Sequence, residues 1–175
     1  MLTLSLLRHA KSSWSDARLR DFERPLNERG ESAVPRMAAF MARCGLVPDF
    51  VLCSPAVRAR QTLRLMLPHF EKAPWVAYED AIYLASPGIL LKLIRTADAK
   101  VRHTMVVGHD PGLHMLALEL AGSGREDDLQ ALAEKLPTAG LAVLAFDAGA
   151  WSEVDRGHGR LKLLISPKRL PSAIS

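Results

Sequence analysis

Apolar residues along this 175-residue chain fall into two alternating spacings. Leu2 to Leu7, Phe50 to Cys53 and Met105 to Val107 are short, mostly apolar runs of strand length. Between them, apolar residues recur at helical intervals. Glu31 to Cys44 places Val34, Met37, Ala38 and Met41 on one face, with Gly45 as a C-cap. Ser54-Pro55, Ser86-Pro87 and Asp110-Pro111 each offer a capping side chain followed by a proline suited to the first helical turn. The runs behind them, Leu63/Met66/Leu67, Leu90/Leu93/Ile94 and Leu113/Leu116/Leu120, predict three more helices. A further helix is predicted over Asp127 to Leu136. Leu141 to Phe146 and Leu161 to Ile165 then predict an antiparallel hairpin. Strands alternating with helices and ending in a hairpin define an α/β class, a mixed, mostly parallel sheet with helices on both faces. Repeats, low-complexity stretches and linkers are absent, so residues 1–175 are expected to form one domain.

Three of the predicted strands end in chemistry. The first runs into Arg8-His9-Ala10-Lys11, the second into Ser54-Pro55-Ala56-Val57-Arg58, and the third into Gly108-His109-Asp110-Pro111. Open α/β sheets bind ligands beyond the carboxyl ends of their strands, so these three ends are expected to share a site. A neutral imidazole can attack phosphorus when its other nitrogen donates to a backbone carbonyl and so fixes the tautomer. A guanidinium holds two phosphoryl oxygens with a planar fork and keeps its charge. Phosphoryl transfer depends mainly on positioning and charge, which fixed arginines can supply. One Arg-His pair leaving a strand is ordinarily just polar; three such ends together predict a phosphoryl-transfer centre built from His9, Arg8, Arg58 and His109.

Charge and cysteine content change this picture little. The formal net charge of +4 and the modest basic cluster from Arg160 to Arg169 lack interleaved aromatic residues, so no nucleic-acid partner is expected. No apolar run reaches the length of a membrane span, and no secretory leader precedes the first strand, so no membrane partner and a cytoplasmic location are expected. Cys44 and Cys53 have neither metal-type nor redox-type spacing and are expected to be reduced and buried. His69, His103, His114 and His158 form no metal pair, so neither metal nor cofactor is expected.

The motifs resemble the histidine phosphatase superfamily, whose fold is phosphoglycerate-mutase-like, and in particular its small branch similar to the SixA phosphohistidine phosphatases. The resemblance rests on Leu6-Leu7-Arg8-His9-Ala10-Lys11, Arg24-Pro25-Leu26-Asn27-Glu28-Arg29-Gly30 and Ser54-Pro55-Ala56-Val57-Arg58-Ala59-Arg60-Gln61-Thr62. Val107-Gly108-His109-Asp110-Pro111-Gly112 and Pro137-Thr138-Ala139-Gly140 complete it. It implies a three-layer α/β/α sandwich and a phosphatase in which His9 is phosphorylated while Arg8, Arg58 and His109 bind the transferred group. It also implies Arg24 as a further phosphate ligand, against the plainer role of an ion pair with Asp21 or Glu23.

One stretch departs from the pattern. Larger members of the superfamily supply a glutamate after the third strand as general acid, but here Glu79-Asp80-Ala81-Ile82-Tyr83-Leu84-Ala85 puts Leu84 near that place. Glu79 or Asp80 is left as a substitute. An alkoxide leaving group needs a proton, whereas transfer between two imidazoles exchanges similar P–N bonds. The short span between Arg58 and His109 leaves no room for a long lid, and an open shelf admits a protein loop. The expected substrate is therefore phosphohistidine in a protein. A small phosphorylated molecule hydrolysed at the same site, or a non-catalytic phosphate-binding module, are the alternatives.

Overall fold

A computed structural model describes residues 1–172. Among these, seven strands form one sheet: β1 (Leu2–Arg8), β2 (Phe50–Cys53), β3 (Trp75–Tyr78), β4 (His103–Gly108), β5 (Ala121–Gly124), β6 (Leu141–Phe146) and β7 (Gly159–Ile165). Their order across the sheet is β3-β2-β4-β1-β6-β7-β5. β1 to β4 are mutually parallel, β6 runs against both β1 and β7, and β5 is parallel to β7. The expected mixed, mostly parallel sheet is present, hairpin included.

Five helices cover the sheet: α1 (Glu28–Arg43), α2 (Val57–Met66), α3 (Pro87–Ile94), α4 (Gly112–Leu120) and α5 (Glu126–Glu134). Strand alternation divides the core between two faces. Leu7, Val51, Cys53, Met105 and Val107 pack with Val34, Met37 and Met41 of α1 and Leu63 and Met66 of α2. Leu4, Leu6, Leu52 and Val106 face the other way, onto Leu90 and Ile94 of α3, Leu113, Leu116 and Leu120 of α4, and Leu132 of α5. This is a three-layer α/β/α arrangement.

Three details differ from expectation. α1 begins before Glu31, because the Asn27 side chain accepts from the Gly30 N–H at 2.9 Å and caps it. β5 has no apolar signal in the sequence because it is Ala-Gly-Ser-Gly, and a Cβ on Gly122 would lie 1.7 Å from the Gly157 carbonyl oxygen. Cys53 is buried, and burial pushes its thiol up to about 12, but Cys44 is exposed at the end of α1.

Candidate active site

Sheet register brings the three motifs level. Arg8 pairs with Gly108 across β1 and β4, and Cys53 pairs with Val107 across β2 and β4. The backbone continues in step past the strand ends, with His9 N–H on the Gly108 carbonyl at 3.1 Å and Ser54 N–H on the Val107 carbonyl at 3.0 Å. His9, His109 and Ser54 therefore leave the sheet side by side, and the two imidazole centroids lie 5.2 Å apart. Arg58, in the first turn of α2, reaches between them and is only 3% exposed.

Obligate donors and acceptors settle both tautomers. His9 Nδ1 lies 2.7 Å from the Ala10 carbonyl oxygen, which can only accept, so Nδ1 carries the hydrogen. His9 Nε2 faces Arg58 Nε–H at 3.3 Å, which can only donate, so Nε2 presents its lone pair. On His109 the same guanidinium donates from Nη2 to Nδ1 at 3.3 Å. The His109 hydrogen then sits on Nε2 and goes to Ser54 Oγ at 2.7 Å. Burial pulls His9 down to about 4; Arg58, Arg8 and Arg24 add to the effect, and the Ala10 hydrogen bond opposes it. Burial likewise pulls His109 down to about 3, with the charges of His9 and Arg58 acting in the same direction. Both rings are neutral near pH 7.

Thr62 ties the two halves of this arrangement together. Its Oγ1 accepts from Ala10 N–H at 3.0 Å and donates to the Arg58 carbonyl at 2.7 Å. α1 presses from the other side, where a Cβ on Gly30 would lie 2.3 Å from the Lys11 carbonyl oxygen. The loop bearing His9 is thus held between a hydroxyl and a bare helix backbone. Arg8 donates from Nη1 to the Leu136 carbonyl at 2.9 Å and pairs with Asp110 Oδ2 at 3.2 Å.

Two of the three expected caps serve this site instead. Ser86 does cap α3, accepting from Ile89 N–H at 3.4 Å. α2, however, starts at Val57 and leaves Ser54 to His109, while α4 starts at Gly112 and leaves Asp110 to Arg8.

Arg24 is near the site but already engaged. It donates from Nε and Nη2 to Asp21 Oδ1 at 3.2 and 2.9 Å, and from Nη1 to Ser12 Oγ at 2.7 Å. Its guanidinium also stacks 3.5 Å from the ring centroid of the exposed Trp14. The ion pair with Asp21 is the plainer role anticipated for it, but Arg24 is buried, not on the surface.

Asp21 itself is the residue that sequence reasoning passed over. Arg58 donates to its backbone carbonyl at 2.6 Å and to its Oδ2 at 3.0 Å, and the Tyr83 hydroxyl donates to the same oxygen at 2.5 Å. The bond from Tyr83, then those from Arg24 and Arg58, hold the Asp21 carboxyl well below the usual carboxylate range. Burial raises the Tyr83 hydroxyl, and the bond to Asp21 raises it further. Only the Asp21/Arg24 spacing was visible along the chain; the links to Arg58 and Tyr83 are long-range. Glu79 and Asp80 make no side-chain hydrogen bond among the described residues, and Leu84 points into solvent with φ +51°.

Comparisons with known proteins place the fold and the family. The family model for the histidine phosphatase superfamily (branch 1) matches residues 4–80. An uncharacterized protein of Mycobacterium tuberculosis is 37% identical over 157 residues, covering 89% of this chain and 96% of its own. A structure described as a candidate phosphohistidine phosphatase SixA from Agrobacterium tumefaciens superposes with a TM-score of 0.78 at 34% identity, over 95% of this chain and 98% of the other. A SixA protein histidine phosphatase solved with tungstate gives 0.76 at 21% identity, covering 97% and 100%, a likeness of fold. The chain belongs to the histidine phosphatase superfamily and is a phosphatase of that type. Within it, the chain is SixA-like.

Proposed function

We propose that the chain, as one domain, dephosphorylates phosphohistidine in proteins through a phosphorylated His9, with the charge supplied by arginines and not by a metal ion. The observation that supports this substrate class is the state of the nearby carboxylates. Asp21, beside Arg58 and Tyr83, is held ionised, and Asp110 is paired with Arg8, so neither is placed to hand a proton to an alkoxide. A phosphohistidine ring protonated at its second nitrogen needs no such donor. Among the described residues no three His, Cys, Asp or Glu side chains are grouped as metal ligands.

The His9 Nε2 lone pair forms the new P–N bond while the substrate P–N bond breaks. The departing imidazole takes that electron pair and leaves neutral. Arg58 and Arg8 hold the equatorial oxygens, and His109, whose Nδ1 accepts from Arg58, positions that guanidinium. Phosphorylated His9 keeps its Nδ1 hydrogen on the Ala10 carbonyl. It therefore carries positive charge, and it too leaves as a neutral ring when water attacks phosphorus. The same hydrogen bond that aims the nucleophile makes its phosphorylated form labile.

Kinetics test the reading. kcat/KM on a histidine-phosphorylated protein should exceed that on alkyl and aryl phosphates by more than tenfold, and rapid acid-free quench should find the label on His9. A preference for an alkyl phosphate would overturn the substrate class; label elsewhere would overturn the nucleophile. Cytoplasmic residence belongs to the same proposal. Both cysteines are free, and among the described residues no helix is long and apolar enough to cross a membrane.

A further inference from the structure

Six of the basic residues that look scattered along the sequence are brought together by the fold. A groove of about 690 Å³ runs between α1, α5 and the end of β7, and six cations line it: Lys11, Arg29, Arg36, Lys135, Lys168 and Arg169. All six are exposed, and among the described residues none is in an ion pair. Among the described residues of the lining, only Glu28 and Glu134 oppose them. Six cations against two carboxylates leave a surplus of four, equal to the formal net charge of the whole chain, +4. The rest of the chain, with the buried Arg24 and Arg58 counted in, is therefore balanced, and the excess sits here.

Register places this groove on the catalytic edge of the sheet. Leu7, at the end of β1, pairs with Leu141 of β6, which pairs with Ile165 at the end of β7. Lys11 is two residues beyond His9. The opposite wall includes Pro137 and Ala139; Ala139 N–H donates to the His9 carbonyl at 3.0 Å, and Arg8 donates to the carbonyl of the adjoining Leu136. A chain lying in the groove would approach the backbone that carries the nucleophile. Small and aliphatic residues, Ala33, Ala131, Leu164 and Ile165, form part of the lining, and no aromatic ring is there to stack a base.

We propose that this groove docks an acidic polypeptide segment of the phosphorylated protein, beside the phosphohistidine. The inference rests on the proposed phosphohistidine activity and adds what selects the partner. Charge complementarity at such a surface governs encounter and discrimination, and weakens with salt.

Three synthetic peptides of equal length test it, each with one histidine phosphorylated by phosphoramidate and flanked by aspartates, by serines or by lysines. Wild-type kcat/KM should be at least tenfold higher on the acidic peptide than on the serine one, lowest on the lysine one, and the spread should collapse at high salt. The variant R36E/K135E/K168E alters only exposed groove residues. It should lose the acidic preference while keeping wild-type kcat/KM on the serine peptide. The unphosphorylated acidic peptide should bind wild type but not the variant in fluorescence anisotropy, a readout independent of turnover. Equal rates on all three peptides, with no binding of the unphosphorylated one, would overturn the groove while leaving the phosphohistidine reading intact. No turnover of any phosphohistidine peptide, beside turnover of an aryl phosphate, would overturn that reading and this inference with it. Equal binding of a single-stranded oligonucleotide at physiological salt would overturn the choice of a protein partner.

Discussion

β4 carries a buried histidine at each end, and the two ends are built for different tasks. At its start, His103 bonds through Nε2 to Ser5 Oγ at 2.8 Å. Asp49 sits beside it, accepting the N–H groups of Arg102 and His103 at 3.0 and 2.9 Å. Just past its other end, His109 shares Arg58 with His9. Burial pulls His103 down to about 4, as it does His9. The neighbouring charges differ in balance: Asp49 pulls His103 back up, whereas the arginines push His9 and, against the pull of Asp21, His109 further down. A buried, neutral imidazole is therefore common to both ends. What marks the end proposed as catalytic is a lone pair turned towards fixed positive charge.

Removing each ring should separate the two ends most sharply. His9→Ala should cost about 10³-fold or more in kcat with the fold intact, because the attacking atom is lost. His103→Ala should lower the urea midpoint and leave kcat/KM of the folded fraction within twofold. A catalytic defect in the second variant would mean the two ends are coupled.

Next in size, Arg58→Ala should cost about 2.7–4 kcal/mol of transition-state stabilisation, the scale of losing one preorganised oxyanion donor. Arg58→Lys should recover little of it, since a point charge cannot bridge two imidazoles and a phosphoryl group. Steady-state kinetics of the pair decide this; a fully active lysine variant would reduce the role of Arg58 to net charge.

The two carboxylates extend the comparison. Asp21→Asn should lower kcat/KM about tenfold by loosening Arg58, Arg24 and Tyr83 together. Asp49→Asn, at the far end, should change stability alone. Equal kinetics for both variants would show that Arg58 needs no anchor.

Acid should expose what the two ends share. Each of the three folded rings binds its proton more weakly than an unfolded histidine, so its contribution to stability is complete above about 6.5 and drains as pH falls, towards about 4 for His9 and His103 and about 3 for His109. The slope is about 1.4 kcal/mol per pH unit for each ring inside that window. His103→Gln should remove one proton from the pH dependence of unfolding while leaving the loss from His9 and His109 in place. An unchanged slope would show that His103 is already protonated in the fold. The smallest effects are expected at Glu79→Gln and Asp80→Asn, within about twofold on phosphohistidine; a large loss in either on both phosphohistidine and an alkyl phosphate would restore a general acid to this site.

What was legible in the sequence follows the range of the interaction that placed each residue. β2 and β6 were read to their ends, because uninterrupted apolar runs declare themselves locally. The gathering of Arg8, His9, Arg58 and His109 in one place was legible because each stands at a strand end or in the first turn after one, where parallel pairing brings them together. Ser54 and Asp110 were misread as caps: a local rule gave way to His109 and Arg8, partners that only folding supplies. Asp21 and Tyr83 lie 62 positions apart and had no shared signal at all. β5 was silent because glycines leave no side-chain period to detect.

The contact between Gly30 and the Lys11 carbonyl divides the molecule by its openness to change. A single added methyl at position 30 would have to displace the backbone next to Ala10, whose carbonyl decides which nitrogen of His9 is free. A Cβ on Gly112 would likewise meet the Ala85 carbonyl oxygen at 1.8 Å, so α4 is pinned just beyond His109. The loops bearing His9 and His109 are thus bounded by two positions where volume alone leaves no space for a side chain. The rim a few residues away is made of exposed side chains with room on every side. Substitutions at the rim would thus bear on the partner proposed for the groove, and substitutions at Gly30 or Gly112 on the backbone beside His9 and His109.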